Sequence, residues 1–74
     1  MNFATLADMN PGETAIIREI GTAGRIRRRL QDIGFIPGTM VECLLKSPLG
    51  DPIAYTVRGA VFALRLEDAS TILV

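Results

Sequence analysis

Residues 22–46, TAGRIRRRLQDIGFIPGTMVECLLK, change hydrophobic period midway, and that change decides the fold. Ile26, Leu30 and Ile33 fall at i, i+4 and i+7, which lines one face of a helix predicted over Thr22 to Ile33. Thr22 is the predicted N-cap, and Gly34 stands where a left-handed residue would end the helix ahead of the Pro37-Gly38 turn. From Thr39 to Lys46 the period drops to two, with Val41, Cys43 and Leu45 on one face and Met40, Glu42, Leu44 and Lys46 on the other. The second face is unusually apolar for one that meets solvent.

Both flanks of this stretch read as β-structure. Upstream, ETAIIREI (13–20) is rich in strand formers but alternates poorly, as expected of a first strand buried on parts of both faces. Before it, Phe3, Leu6 and Met9 recur at spacing three in a lead-in that ends at Pro11-Gly12 and is expected to pack on the remainder of the fold. Downstream, the loop SPLGDP (47–52) joins the Thr39–Lys46 strand to Pro52–Arg58, where Ile53, Tyr55 and Val57 alternate with Ala54, Thr56 and Arg58, so a hairpin is expected. Gly59 turns the chain into Ala60–Leu66, whose Phe62, Leu64 and Leu66 share a face, and EDASTILV (67–74) reads as a helical turn and a last short strand. The sum is an all-β fold, a small barrel of about five strands with one α-helix inserted after the first.

A chain of 74 residues has room for one core, so residues 1–74 are read as a single domain. With only four aromatics, Phe3, Phe35, Tyr55 and Phe62, that core has to be built from aliphatic side chains. Eight basic residues balance eight acidic ones, which removes the positive field that bulk nucleic-acid or anionic-membrane binding needs. Cys43 is the one cysteine, so no disulfide can form within the chain, and a reducing cytoplasm is the expected compartment. No apolar run reaches the roughly 18 to 20 residues that span a bilayer, and the N-terminus lacks a signal-peptide pattern, so no membrane insertion is expected.

The residue inventory argues against catalysis, because the chain has no histidine and no spacing singles out a pair of carboxylates. It argues equally against a tight transition-metal site, which wants several His or Cys ligands, and Cys43 reads as a buried apolar thiol on the face of Val41 and Leu45. No phosphate-cradling glycine motif occurs, so no cofactor is expected. Arg25, Arg27, Arg28 and Arg29 form the densest charge feature, and it has two readings: a solvated helix face, or a docking face for an acidic partner or a phosphate. No aromatics interleave with these arginines, so a stacking nucleic-acid platform is not indicated.

Three segments together, RRRLQDIGFIPGTMVE (27–42), SPLGDPIAYTVRG (47–59) and VFALRLEDASTILV (61–74), resemble the FeoA family of ferrous iron transport accessory proteins. The matching positions are Arg27, Leu30, Ile33, Gly34, Phe35, Pro37 and Gly38 at the helix exit, Ser47 through Pro52 in the hairpin loop, then Ala63, Leu64 and Arg65, and finally Ala69, Ile72 and Val74. Departures are small, chiefly Ile33, where Leu or Met is usual, and Ser47, where Ala is common. The resemblance implies an SH3-like barrel in the bacterial cytoplasm, peripheral to the inner membrane through its partner, a FeoB-type ferrous iron transporter with a GTPase domain. It also carries a family-level association with transition-metal binding, which the ligand inventory does not support for an isolated chain.

Under that reading the expected partner surface comprises Arg25, Arg28, Arg29, Phe35, Met40 and Leu44: an apolar stripe of Met40 and Leu44 near the Phe35-Ile36 corner, flanked by helix arginines. The rival is a regulatory module related to the C-terminal SH3-like domain of iron-dependent repressors, although these 74 residues contain no helix-turn-helix. Self-association is a further expectation, because small barrels often gain stability from a second copy.

Overall fold

A computed structural model describes residues 4–74, so the Phe3 position of the lead-in lies outside the described residues. The run predicted as one first strand is bent into two, β1 (Thr14–Ile16) and β2 (Glu19–Ile20). The bend has a sequence cause: Ile17 and Ile20 are buried while Arg18 and Glu19 between them both face solvent, which no straight strand can satisfy. β1 pairs antiparallel with β3 (Met40–Lys46), and β2 pairs antiparallel with β6 (Ile72–Leu73). The chain changes partners within one residue step. Ile17 donates its N–H to the Thr39 carbonyl at 2.9 Å, and Arg18 donates to the Leu73 carbonyl at 2.7 Å.

The larger sheet has the order β1-β3-β4-β5, with β4 at Ile53–Val57 and β5 at Ala60–Leu64. All of its neighbours are antiparallel, and the smaller β2-β6 sheet is extended by a bridge between Thr5 and Leu73. This is the expected small barrel, with six short strands because the first is split. The strand predicted to run on to Leu66 stops at Leu64. Leu66 instead opens a short helix, α2 (Leu66–Ala69), and is exposed. Its N–H is taken by the Asp51 carboxylate at 2.9 Å, so the 47–52 loop supplies the cap that Arg65, at the N-cap position, does not.

The one long helix, α1, spans Gly24–Ile33 and starts one residue later than an N-cap at Thr22 would have set it, with Ala23 at the N-cap and no side-chain cap. Only Leu30 of the predicted apolar stripe is fully buried; Ile33 is half-buried and Ile26 is exposed. Gly34 ends the helix as predicted, at φ 112°, and its N–H returns to the carbonyls of Gln31 and Leu30. A Cβ at Gly34 would meet Val57 Cγ1 at 3.1 Å, so both the dihedral and the space call for glycine.

The core collects Ile53, Tyr55 and Val57 of β4, Val41 and Cys43 of β3, Leu64 of β5, Leu30 and Phe35 at the helix exit, and Leu6 and Met9 of the lead-in. Phe35 meets Phe62 edge to face with ring centroids 6.0 Å apart. Tyr55 is wholly buried, and its phenol donates to the Leu6 carbonyl at 2.9 Å, which ties the lead-in across the end of the barrel.

Two stability predictions follow from these contacts. Gly34→Ala should lower unfolding free energy by about 1 to 3 kcal/mol in urea titrations, because L-residues pay for the left-handed region and the methyl crowds Val57. Tyr55→Phe should cost about 0.5 to 1.5 kcal/mol by removing one of the two hydrogen bonds to the Leu6 carbonyl, which keeps the Met9 N–H at 3.2 Å. Burial, aided by the nearby Cys43 and Asp8 charges, pushes the Tyr55 phenol well above its ordinary range. A raised folded pKa contributes stability that is full below the unfolded value of about 10 and is lost as pH climbs past it. The wild type should therefore lose stability more steeply than Tyr55→Phe in chemical melts above that pH.

Candidate protein-interaction surface

The four-stranded sheet has one face on the core and one on solvent, and strand register sorts its residues. Ile16 lies opposite Met40; Thr14, Glu42, Thr56 and Val61 form the next row; and Leu45, Ala54 and Ala63 form the third. On this outer face Ile16, Met40 and Val61 are 50%, 61% and 62% exposed. An antiparallel sheet with one wet face ordinarily sets polar residues there. Here half-buried Glu42 and Thr56 are its polar centre, with apolar residues on both sides.

The strict alternation predicted for β3 is broken by a bulge. Register shifts between Cys43 and Leu45, so Leu44 and Leu45 together oppose Ala54 and both are exposed. Leu45, expected inward beside Val41 and Cys43, therefore joins the outer face. The same shift returns Lys46 to the core side, where its stem is half-buried and Nζ donates to the Ala7 carbonyl at 3.4 Å.

Of the residues singled out in the sequence, Met40 and Leu44 lie on this outer face and are exposed. Arg25, Arg28 and Arg29 are exposed on α1. Phe35 is a correction: it is fully buried and its ring packs on Phe62, so it braces the helix exit from inside and cannot touch a partner. Ile16, Leu45 and Val61 were missed. The signals available were the Ile16-Ile17 and Leu44-Leu45 doublets, in which a period of two forces one of each pair outward unless a bulge intervenes, and the position of Val61 next to the inward Phe62.

A second feature lies between α1 and β5. There a groove of about 390 Å³ is lined by Ile26, Leu30 and Ile33 from the helix and Phe62 and Leu64 from the strand, with Arg29, Arg65 and Asp68 at its rim. Of the three helix arginines singled out in the sequence, Arg29 is the one that lines this groove.

Metal chemistry finds no foothold among these groups. The sequence has no histidine, and among the described residues no three Cys, Asp or Glu side chains cluster. Cys43 is inaccessible, and burial is the main influence that raises its thiol pKa, above the opposing pull of Lys46. The residues present do not fit a resident transition metal.

The family model of the FeoA domain matches residues 4–74. A Porphyromonas gingivalis fusion of Fe(2+) transport protein A with the Fe(2+) transporter FeoB is 32% identical over 67 residues, which is 90% of this chain and 8% of that protein. Iron(II) transport protein A from Clostridium thermocellum superposes at TM-score 0.88 with 32% identity, covering 92% of this chain and 42% of that one. A Stenotrophomonas maltophilia FeoA, solved with zinc and described as a prokaryotic SH3 domain protein and candidate ferrous iron transport activating factor, superposes at 0.83 with 29% identity over 93% of this chain and 86% of its own. A manganese-dependent transcriptional repressor superposes at 0.84 with 21% identity over 95% of this chain and 39% of its own, a likeness of fold alone.

The accessibility of Cys43 gives a direct check. A thiol reagent should label it at a negligible rate in the folded protein and stoichiometrically once the protein is unfolded in guanidinium; rapid native labelling would contradict the burial described.

Proposed function

Because this chain belongs to the FeoA domain family, we propose that it is a non-catalytic accessory of bacterial ferrous iron uptake that binds a FeoB-type membrane transporter on its cytoplasmic, GTPase-bearing side. One observation carries the reading: the Porphyromonas gingivalis relative joins the matching domain to a FeoB transporter in a single polypeptide. Fusion holds two partners at high effective concentration, which favours contact between them. The chain spans 8% of that protein's length, and under this reading iron movement belongs to the remainder of it. No helix of the described residues is long and apolar enough to cross a membrane, which suits a part that docks on a transporter.

The surface best suited to docking is the outer sheet face of Ile16, Met40, Leu44, Leu45 and Val61. It combines exposed apolar area with a polar centre, as interaction patches do. Iron itself is cargo under this reading, handled by the transporter. The repressor-related alternative draws on the fold alone, and the described residues contain no helix-turn-helix to read DNA.

Calorimetric titration against the cognate transporter's isolated GTPase domain, with GDP and then with a GTP analogue, should show binding in at least one nucleotide state. Met40→Asp combined with Leu44→Asp should weaken it at least about tenfold without changing the thermal melt. Failure to bind both this domain and the full-length transporter would overturn the proposal.

A further inference from the structure

The sheet has two open edges, and they differ. β1 is three residues long and gives way at once to the change of partners at Ile17, so it offers little length. β5 closes the other side with AVFAL (60–64), which contains no charge, no proline and no bulge, the devices that normally protect an edge. The turn between β4 and β5 is the two-residue Arg58-Gly59 loop with positive φ at both positions, so Val57 and Ala60 form its hydrogen-bonded closing pair. Alternation along the ladder then directs the N–H and C=O groups of Val61 and Ala63 out of the sheet. Among the described residues no turn, loop or cap takes those groups up.

The groove under α1 runs beside this edge. Its lining includes apolar Ile33 and Phe62 and two arginines, Arg29 and Arg65, against the single Asp68. Asp51, beside Ala63 and Arg65 in the adjoining cleft, has one carboxylate oxygen already taken by the Leu66 N–H. Exposed Ala63 presents only a methyl, so nothing bulky keeps another backbone away from the strand.

We propose that β5 is a docking edge for an extended acidic segment of a partner polypeptide, which joins the sheet as a fifth strand, lays an apolar side chain against Ile33 and Phe62, and directs a carboxylate to Arg29 and Arg65. Three features select this occupant. The free N–H and C=O groups at residues 61 and 63 are spaced for a β-strand. Side chains two apart on an added strand face the same way, so one strand can fill the apolar floor and reach the arginines together. Arginine favours bidentate contact with carboxylates, and a basic segment would meet like charge. The inference goes beyond the transporter reading and is tested without a transporter, so either can fail alone.

The test is an NMR titration of the ¹⁵N-labelled protein with a capped six-residue peptide that alternates threonine with valine and glutamate. Up to about 1 mM peptide, the amides of Val61 and Ala63 should shift and exchange more slowly with solvent. Exchanging glutamate for lysine in the peptide should weaken binding at least about tenfold, and Arg65→Gln should weaken it and flatten its salt dependence. Ala63→Pro deletes an outward donor without removing a bond to β4 and should also weaken binding at least about tenfold. N-methylation of one alternate set of peptide amides should do the same on the unaltered protein, which keeps the test decisive if Ala63→Pro fails to fold. No shifts at about 1 mM, equal binding of the lysine peptide, or shifts confined to the Met40 face would overturn the proposal.

Discussion

The whole barrel depends on the step from Ile17 to Arg18. On one side of it the backbone bonds to the Thr39 strand end, and on the other to Leu73, so a single run of seven residues belongs to both sheets. The smaller sheet consists of two two-residue strands and one bridge, which has no independent stability in water. It persists because the larger sheet presents Arg18 and Glu19 to it already extended. Ile17, buried at the step, anchors the change of partner to the core.

Closure then follows from polar groups placed where apolar packing alone would leave a seam. The Tyr55 phenol reaches from the central β4 strand to the Leu6 carbonyl, and that lead-in in turn brings Thr5 to Leu73. On the far side the 47–52 loop is held by its own ends, since Ser47 Oγ donates to the Pro52 carbonyl at 2.8 Å, and Asp51 is thereby presented to the first N–H of α2. Among the described residues no buried side-chain nitrogen or oxygen lacks a hydrogen-bond partner, so a core short of aromatics loses nothing to unpaired polar atoms.

Elements governed by local rules were legible in the sequence. The helix exit at Gly34, the β3–β4 hairpin and the closing turn-plus-strand all depend on residues within a few positions of one another, and all are present. The misses share a different cause. Phe35 belongs to a corner next to the Met40 and Leu44 stripe, where exposure is expected, yet its ring is buried and packs on Phe62, far along the chain. The bulge that turns Leu45 outward has no local signature and becomes determinate only in pairing with β4. Ala23 rather than Thr22 stands at the helix start, and just before it Gly21 donates to the Thr71 carbonyl, a contact across fifty residues. Of the candidate surface, Met40 and Leu44 were readable from alternation. Ile16 and Val61 needed the register that sets them on the same face.

Magnitudes decide what that surface can do. Ile16, Met40, Leu44, Leu45 and Val61 are between 37% and 62% exposed, so covering each gains about 1 kcal/mol, roughly half the worth of burying a whole aliphatic side chain. Together they give about 5 kcal/mol, near the lower end of the roughly 4 to 15 kcal/mol that association costs in lost freedom and ordering. A chain with no net charge adds no long-range steering to that total. Apolar cover alone therefore yields a transient contact, and a lasting complex needs directional bonds beside it. The β5 edge is the neighbouring source of such bonds, because Val61 belongs to both: its side chain stands on the apolar face while its backbone opens onto the unpaired edge. A partner that covered the face and paired with the edge would combine non-directional area with hydrogen bonds that fix its register. The face by itself cannot supply that register, because its directional groups are confined to the single row of Thr14, Glu42 and Thr56.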